Sequence, residues 1–310
     1  MSRATYAPYV RPRSPVCEMV QEMSRRINVI GEEWDHLVVL DGCRYDFFSE
    51  ACWSHFEGEL EMVVSPGSNT VGWIDKSFPG RYEDVVYVSA NPYINSRMAV
   101  KGFDARDHFH EVIDVWDWGW DEELGTVHPG AVNRATEKAL EEHPDKRLIV
   151  HYLQPHCPYI GHQPTGTGYP RQEPAVGVVL DGVAGLQERP LVRQRLLDLV
   201  KALSYAPLVK QSGLLKDGRV WKVRELLGLP PSSPMDALRR ERGVGGLREA
   251  YSGNLELVLR FAAELVGALD GVLVITSDHG ELLGEEGRFS HGRGRSERLL
   301  LEVPWFRVAR

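Results

Sequence analysis

Short runs of apolar residues recur along the chain: "HLVVLD" (36–41), "DVVYVSA" (84–90), "RLIVHYL" (147–153) and "GVLVITS" (271–277). They scarcely alternate with polar positions, which fits strands buried on both faces of a parallel sheet. Between them, "GAVNRATEKALEEH" (130–143) and "LREAYSGNLELVLRFAAELVGAL" (247–269) carry apolar residues at helical spacing, as does "EMVQEMSRRINV" (18–29). Strands alternating with helices predict an α/β fold, a mostly parallel sheet with helices on both faces. Sites in such sheets form beyond the carboxyl ends of the strands. Asp41, the segment Tyr152 to His156, and Asp278 all stand at such ends.

Two stretches break the pattern. Residues 1–16 read as an extended arm, which with the helix after it makes an N-terminal unit of residues 1–30 before one domain at 31–310. Residues 162–245 are rich in Gly and Pro, with broken helical segments and no good strand. From Glu188 to Glu225 there are nine Lys or Arg against four Asp or Glu. Two readings stay open: a solvated helical insertion, or a cap whose basic residues attract an anionic substrate.

Composition narrows the class only a little. The 310 residues carry a net charge of −8, which argues against a general nucleic-acid footprint. No stretch is apolar for the 18 or more residues of a membrane span, and the N-terminus lacks the continuous apolar core of a signal peptide. The expectation is a chain without its own membrane anchor. The four cysteines show neither CxxC nor zinc-finger spacing, so free thiols and a cytoplasmic location are expected.

The residues fit for chemistry cluster at the strand ends. Asp278 and His279 offer a hard oxygen and an imidazole nitrogen, a set that suits a divalent ion, although an Asp there can also cap a helix. Asp41, in "VVLDGCRYD", is a second strand-end carboxylate that a shared ion would satisfy. The turn "VVSPGSNTVGWI" (63–74) offers Thr70, either a helix cap or a nucleophile activated by the ion, with Ser68 as the competing hydroxyl. His156, in "HYLQPHCPYIG", and His291, in "FSHGRGR", can donate to a substrate oxygen, protonate a leaving group or bind a second ion. His151 lies inside its strand and reads as structural. The Trp-rich "DVWDWGWDEELGTVHPG" (114–130) reads as a packed connection, with His128 an outlying candidate.

Taken together these residues resemble the alkaline phosphatase superfamily, and within it the sulfatase-like branch. "DGCRYD" is similar to that branch's Asp-x-x-Arg-x-Asp pattern, "QPHCPY" to its Pro-His-x-Pro segment, and "ITSDHGELLGEEGRFSHG" to its late strand, Asp-His-Gly-Glu turn and downstream His. "LLLEVPWFRV" resembles the Val-Pro strand that follows. The resemblance implies a three-layer α/β/α sandwich and a metal-dependent hydrolase or transferase of phosphate or sulfate esters. It implies that Asp41, Thr70, Asp278 and His279 bind one divalent ion (Mn, Zn, Ca or Mg), leaving room for a second. Thr70 then attacks phosphorus or sulfur, while His156 and His291 contact the substrate. Arg44 orients the first carboxylate or steadies the nucleophile.

The Cys/Ser-x-Pro-x-Arg pattern that becomes formylglycine in sulfatases is absent. The nucleophile turn instead resembles the threonine-using members, such as lipoteichoic acid synthases and phosphoethanolamine transferases, which favours phosphoryl chemistry. The expected partner is an anionic ester, either a small molecule or one linked to a glycan or lipid. A catalytically silent binding protein of the same fold and a phosphomutase are the alternatives.

Overall fold

The structure is a computed structural model, and it describes residues 25–162 and 217–309. The arm at 1–16, Cys17, and most of the Gly- and Pro-rich stretch lie outside the described residues.

The central sheet is built from β1 (His36–Asp41), β2 (Gly58–Val64), β3 (Tyr82–Ser89) and β4 (Phe109–Asp114), together with later strands. A small hairpin, β5 (Trp120–Asp121) and β6 (Thr126–Val127), precedes β7 (Arg147–Pro155) and β8 (Leu273–Ser277). A second hairpin, β9 (Leu282–Leu283) and β10 (Phe289–Ser290), lies before the last strand, β11 (Glu302–Val308). The sheet order is β2-β11-β8-β1-β7-β3-β4. β1 runs parallel to β7 and β8, and β3 parallel to β7 and β4. β11 alone runs antiparallel to both of its neighbours.

The helices are α1 (Tyr45–Ala51), α2 (Thr70–Ser77), α3 (Val115–Trp118), α4 (Pro129–Glu142), α5 (Asp217–Leu226), α6 (Pro234–Val266) and α7 (Arg298–Leu301). Alternate residues of β1 feed two cores. Val38 and Leu40 join Phe48 of α1, Val132 and Ala135 of α4, and Leu255 and Val258 of α6. Leu37 and Val39 join Trp73 and Ile74 of α2 and Phe78 just beyond it. Helices therefore cover both faces, and the expected three layers form because every position of β1 is buried.

Three details differ from the pattern-based expectations. β2 and β4 gave no clear apolar run: both are edge strands with half-exposed faces, and their Glu and His positions hide the signal. Residues 25–28, expected to end a helix, instead run beside β2, where Ile27 N–H donates to the Val64 carbonyl at 3.1 Å. Finally, α6 is broken at Gly243, whose φ of 70° and ψ of −174° are foreign to a helix.

The described end of the Gly- and Pro-rich stretch is helical and packed, not solvated throughout. Trp221 of α5 stacks on Phe289 at 4.6 Å, and with Met235, Leu238, Leu247 and Tyr251 it forms a third apolar cluster beside the loop that follows β8. That loop carries the candidate chemistry.

Candidate metal centre and active site

Strand ends bring the first group of ligands together. Asp41 terminates β1 and Asp278 follows β8, its immediate neighbour in the sheet. Asp278 Oδ1 accepts from the backbone N–H groups of Gly42 at 3.0 Å and His279 at 2.9 Å. Asp41 Oδ2 accepts from Asn91 Nδ2 at 2.6 Å, just beyond β3. The other carboxylate oxygens, Asp41 Oδ1 and Asp278 Oδ2, are buried without a hydrogen-bond partner among the described residues.

His279 sharpens this imbalance. Its Nδ1 lies 2.8 Å from the Gly280 carbonyl, which can only accept, so Nδ1 carries the proton. Burial holds its pKa down at about 4, so the ring is neutral and Nε2 presents a lone pair. That nitrogen lies 3.3 Å from Asp278 Oδ2, 3.7 Å from Asp41 Oδ1 and 3.5 Å from Thr70 Oγ1. Acceptors thus face one another in a buried pocket, and the single Thr70 hydroxyl hydrogen cannot serve them all. Burial and the nearby Asp278 charge push the Asp41 pKa up to about 7, another mark of negative charge without a counterion.

The spacing fits a metal ion. A tetrahedral ion with ligands about 2.0–2.1 Å away has ligand–ligand edges of about 3.3–3.4 Å. Two acids, one imidazole and one hydroxyl are the donor set for a zinc-like or similar divalent cation.

Thr70 is delivered by the start of α2. Asn69 caps that helix, its Oδ1 accepting from Gly72 N–H at 3.0 Å, which leaves the Thr70 hydroxyl free to face the acids. Gly67 makes the turn tight: a Cβ there would come within 2.3 Å of Trp73 N. Ser68 is positioned otherwise. Its hydroxyl donates to the Gly292 carbonyl at 2.8 Å and accepts from Arg295 N–H at 3.1 Å. It fastens the turn to the loop that carries His291, and Thr70 alone of the two hydroxyls faces the acids.

His156 and His291 meet at a residue that the sequence did not single out. Glu281 is buried, 3.2 Å from His291 Nδ1 and 3.7 Å from His156 Nε2. The two imidazole rings stand 5.2 Å apart, and His291 lies 4.2 Å from the ring of His279. Burial opposes ionisation of Glu281, but the histidines outweigh it and hold its pKa low. Burial likewise opposes charge on His156, yet neighbouring Cys157, Asp41 and Glu281 raise its pKa well above the usual value. His156, Glu281 and His291 form a second set able to hold a cation, beside the set Asp41, His151 and Asp278.

Arg44 does not reach the first carboxylate or the nucleophile, the role expected of it. Its guanidinium makes a bidentate pair with Asp46 at 2.9 and 2.6 Å, and Nη1 donates to Glu285 at 2.6 Å. The fork is spent on these acids and on the Glu281 carbonyl at 3.4 Å, so the buried Arg44 braces the loop after β8. His128 also stands apart: its Nδ1 caps α4 by accepting from Gly130 N–H at 3.1 Å. Asn91, close to both Asp41 and Thr70 (3.4 Å from Thr70 Oγ1), belongs to the site although its turn-like segment gave no signal.

No protein-family model and no curated protein matches the sequence. Among solved structures, the chain is similar to the C-terminal periplasmic domain of EcEptC from Escherichia coli in complex with Zn. Identity is 12%, 91% of this chain and 74% of that chain are covered, and the TM-score is 0.50. It is also similar to the phosphonate monoester hydrolase of Agrobacterium radiobacter (12% identity, 88% and 67% covered, TM-score 0.49). A third is the soluble domain of lipooligosaccharide phosphoethanolamine transferase A from Neisseria meningitidis (14% identity, 87% and 75% covered, TM-score 0.47). The chain spans 53% of the integral membrane form of that transferase. At such identities the likeness is one of fold alone.

Proposed function

We propose that the protein is a metal-dependent enzyme of phosphoester chemistry, a hydrolase or transferase, with Thr70 as its nucleophile. The observation that carries this reading is the meeting of Asp41, Thr70, Asp278 and His279 around lone pairs that lack a donor. Bound there, a divalent ion supplies Lewis-acid charge and makes a hydroxyl beside it nucleophilic at neutral pH. Asp41, Asp278 and His279 hold that ion, while the capped start of α2 fixes the hydroxyl.

In the first step Thr70 Oγ forms a bond to phosphorus as the ester P–O bond breaks in line. The Thr70 proton passes to solvent, and the leaving oxygen takes up a proton from His156. His156, kept protonated by Glu281 and its neighbours, is the proton donor within reach of that side of the site. In the second step a water or an acceptor hydroxyl gives its proton to His156 as it attacks phosphorus, and Thr70 leaves and takes up a proton from solvent. His291, oriented by Glu281, contacts the non-bridging oxygens, where charge accumulates. The substrate class is an anionic phosphoester; sulfate esters are disfavoured by the missing formylglycine pattern.

The test uses the purified chain with aryl phosphate, aryl phosphodiester and aryl sulfate, adding Mn, Zn, Mg and Ca in turn. Chelation abolishes turnover, and Thr70→Ala lowers it by about three orders of magnitude or more. Acid quenching traps one phosphoryl group on Thr70, visible by mass spectrometry. Normal turnover in Thr70→Ala together with its loss in Ser68→Ala contradicts the nucleophile assignment. Tight metal binding with no turnover of any ester favours the binding-protein alternative.

A second reading, two ions rather than one, is favoured by the His156–Glu281–His291 set. Metal content measured on the loaded protein decides it: a second equivalent that Glu281→Ala removes supports two ions, and a single equivalent supports one. A cytoplasmic location rests on cysteine usage alone. Among the described residues Cys43, Cys52 and Cys157 are free thiols, and no helix is long and apolar enough to cross a membrane.

A further inference from the structure

His151 lies on β7, two positions after Ile149, at a point where the strand faces the apolar core beneath α2. Its ring is fully buried, with Trp73 and Tyr87 each at 6.0 Å. A buried histidine with both nitrogens satisfied would be ordinary core. Here Nδ1 meets the Tyr87 hydroxyl at 2.7 Å, but Nε2 has no hydrogen-bond partner among the described residues. The ring is in a group with Asp41 and Asp278, each offering one ligand atom, all within 4.8 Å of one another.

The direction of the Tyr87 bond follows from counting donors. The Tyr87 hydroxyl is buried, and its one hydrogen-bond partner among the described residues is His151 Nδ1. A buried hydroxyl that does not donate is costly, about 1–3 kcal/mol. Tyr87 therefore donates, Nδ1 accepts, and the proton of the neutral ring stands on Nε2. The opposite tautomer would free Nε2 to ligate an ion directly, but it would leave the Tyr87 hydrogen without an acceptor.

Resting on the metal reading above, we infer that His151 is a positioning residue for the ion's carboxylates, its Nε2–H aimed at Asp278 and Asp41 by Tyr87. One ring nitrogen of His151 and one oxygen of each carboxylate lie within 4.8 Å of one another. Asp41 Oδ1 and Asp278 Oδ2 lack donors among the described residues, so the Nε2–H stands on the side of oxygens that need one. Supporting donors of this kind orient metal-binding groups, and their loss typically lowers metal affinity 10–100-fold. Tyr87, His151 and the two acids thus form a chain from the apolar core to the ion.

The test is a zinc titration of metal-stripped protein against a chromophoric chelator, comparing wild type with His151→Phe, His151→Gln and Tyr87→Phe. Melting in EDTA and far-ultraviolet circular dichroism confirm that each variant is folded. His151→Phe is expected to weaken zinc binding about 10–100-fold. His151→Gln, which keeps an N–H donor, recovers part of that loss. Tyr87→Phe, which removes one hydroxyl and threatens the fold least, also weakens binding, because the ring is then free to change tautomer. Wild-type zinc affinity in both His151→Phe and Tyr87→Phe overturns the inference. Absence of zinc binding by the wild type overturns the site reading itself, so the two failures are distinct.

Discussion

Asn91 donates from one amide nitrogen to Asp41 at 2.6 Å and toward Thr70 at 3.4 Å, so a single side chain sets the spacing between acid and nucleophile. Its Oδ1 is fixed in turn by Tyr93 N–H at 2.9 Å. Asn91→Ala is expected to cut turnover about 10–100-fold, with a measurable loss of metal affinity, as for other groups that support metal ligands. Steady-state kinetics and chelator competition read the two effects separately. Glu281→Gln keeps the shape of its partner and removes the charge that orients His291. It should lower kcat more than it raises KM, because the charge near His291 acts on the transition state. Neither residue was legible in advance. Asp41, Asp278 and Thr70 each stand at the end of an apolar run or at a turn into a helix, and that position is written in the local sequence. Asn91 sits in "SANPYINS", which reads as an ordinary turn. Glu281 closes the Asp-His-Gly-Glu turn that carries the resemblance, but nothing in that turn assigned it a role of its own.

The loop from β10 to α7 is a separate mechanical unit. Glu297 joins Arg295 at 2.7 Å and Arg288 at 3.0 Å, while Arg295 N–H reaches Ser68. Burial alone would raise the pKa of Glu297, but hydrogen bonding from Arg295 and the charge of Arg288 bring it from 4.5 to about 2. A carboxylate with a depressed folded pKa stabilises above its unfolded pKa, and that contribution is lost as pH falls from about 4.5 to about 2. In EDTA, thermal melts across that window should show a shallower acid slope for Glu297→Gln than for wild type. Gly67 is a backbone requirement of the same region. Gly67→Ala pushes a methyl into Trp73 N and should lower stability by about 1–3 kcal/mol, seen as a reduced denaturation midpoint. At this scale the central strands were legible because burial on both faces leaves an unbroken apolar run. β2 and β4 were not, since edge positions tolerate polar residues. Nor does "RERGVGGLRE" alone reveal that Gly243, rather than Gly245 or Gly246, breaks α6.

Across the whole molecule, the ion and the fold should stabilise each other. Asp41 and Asp278 repel one another in the metal-free protein, and a bound cation removes that repulsion. At a free metal concentration 100 times Kd, binding adds about 2.7 kcal/mol. For a chain of 310 residues that is a rise in Tm of roughly 4 °C, which differential scanning calorimetry with and without chelator measures. A Tm indifferent to every divalent ion would contradict the proposed centre.

β1 lies between β7 and β8, and Gly42 touches Asp278 across 236 positions of sequence. On the ribosome, at about 5–20 residues per second, the two are made roughly 10–50 s apart. For that interval the apolar "HLVVL" segment has been synthesised while β8 has not, and for its first part β7 has not either. The proposed ion site is therefore incomplete until Asp278 and His279 have been made, well after Asp41.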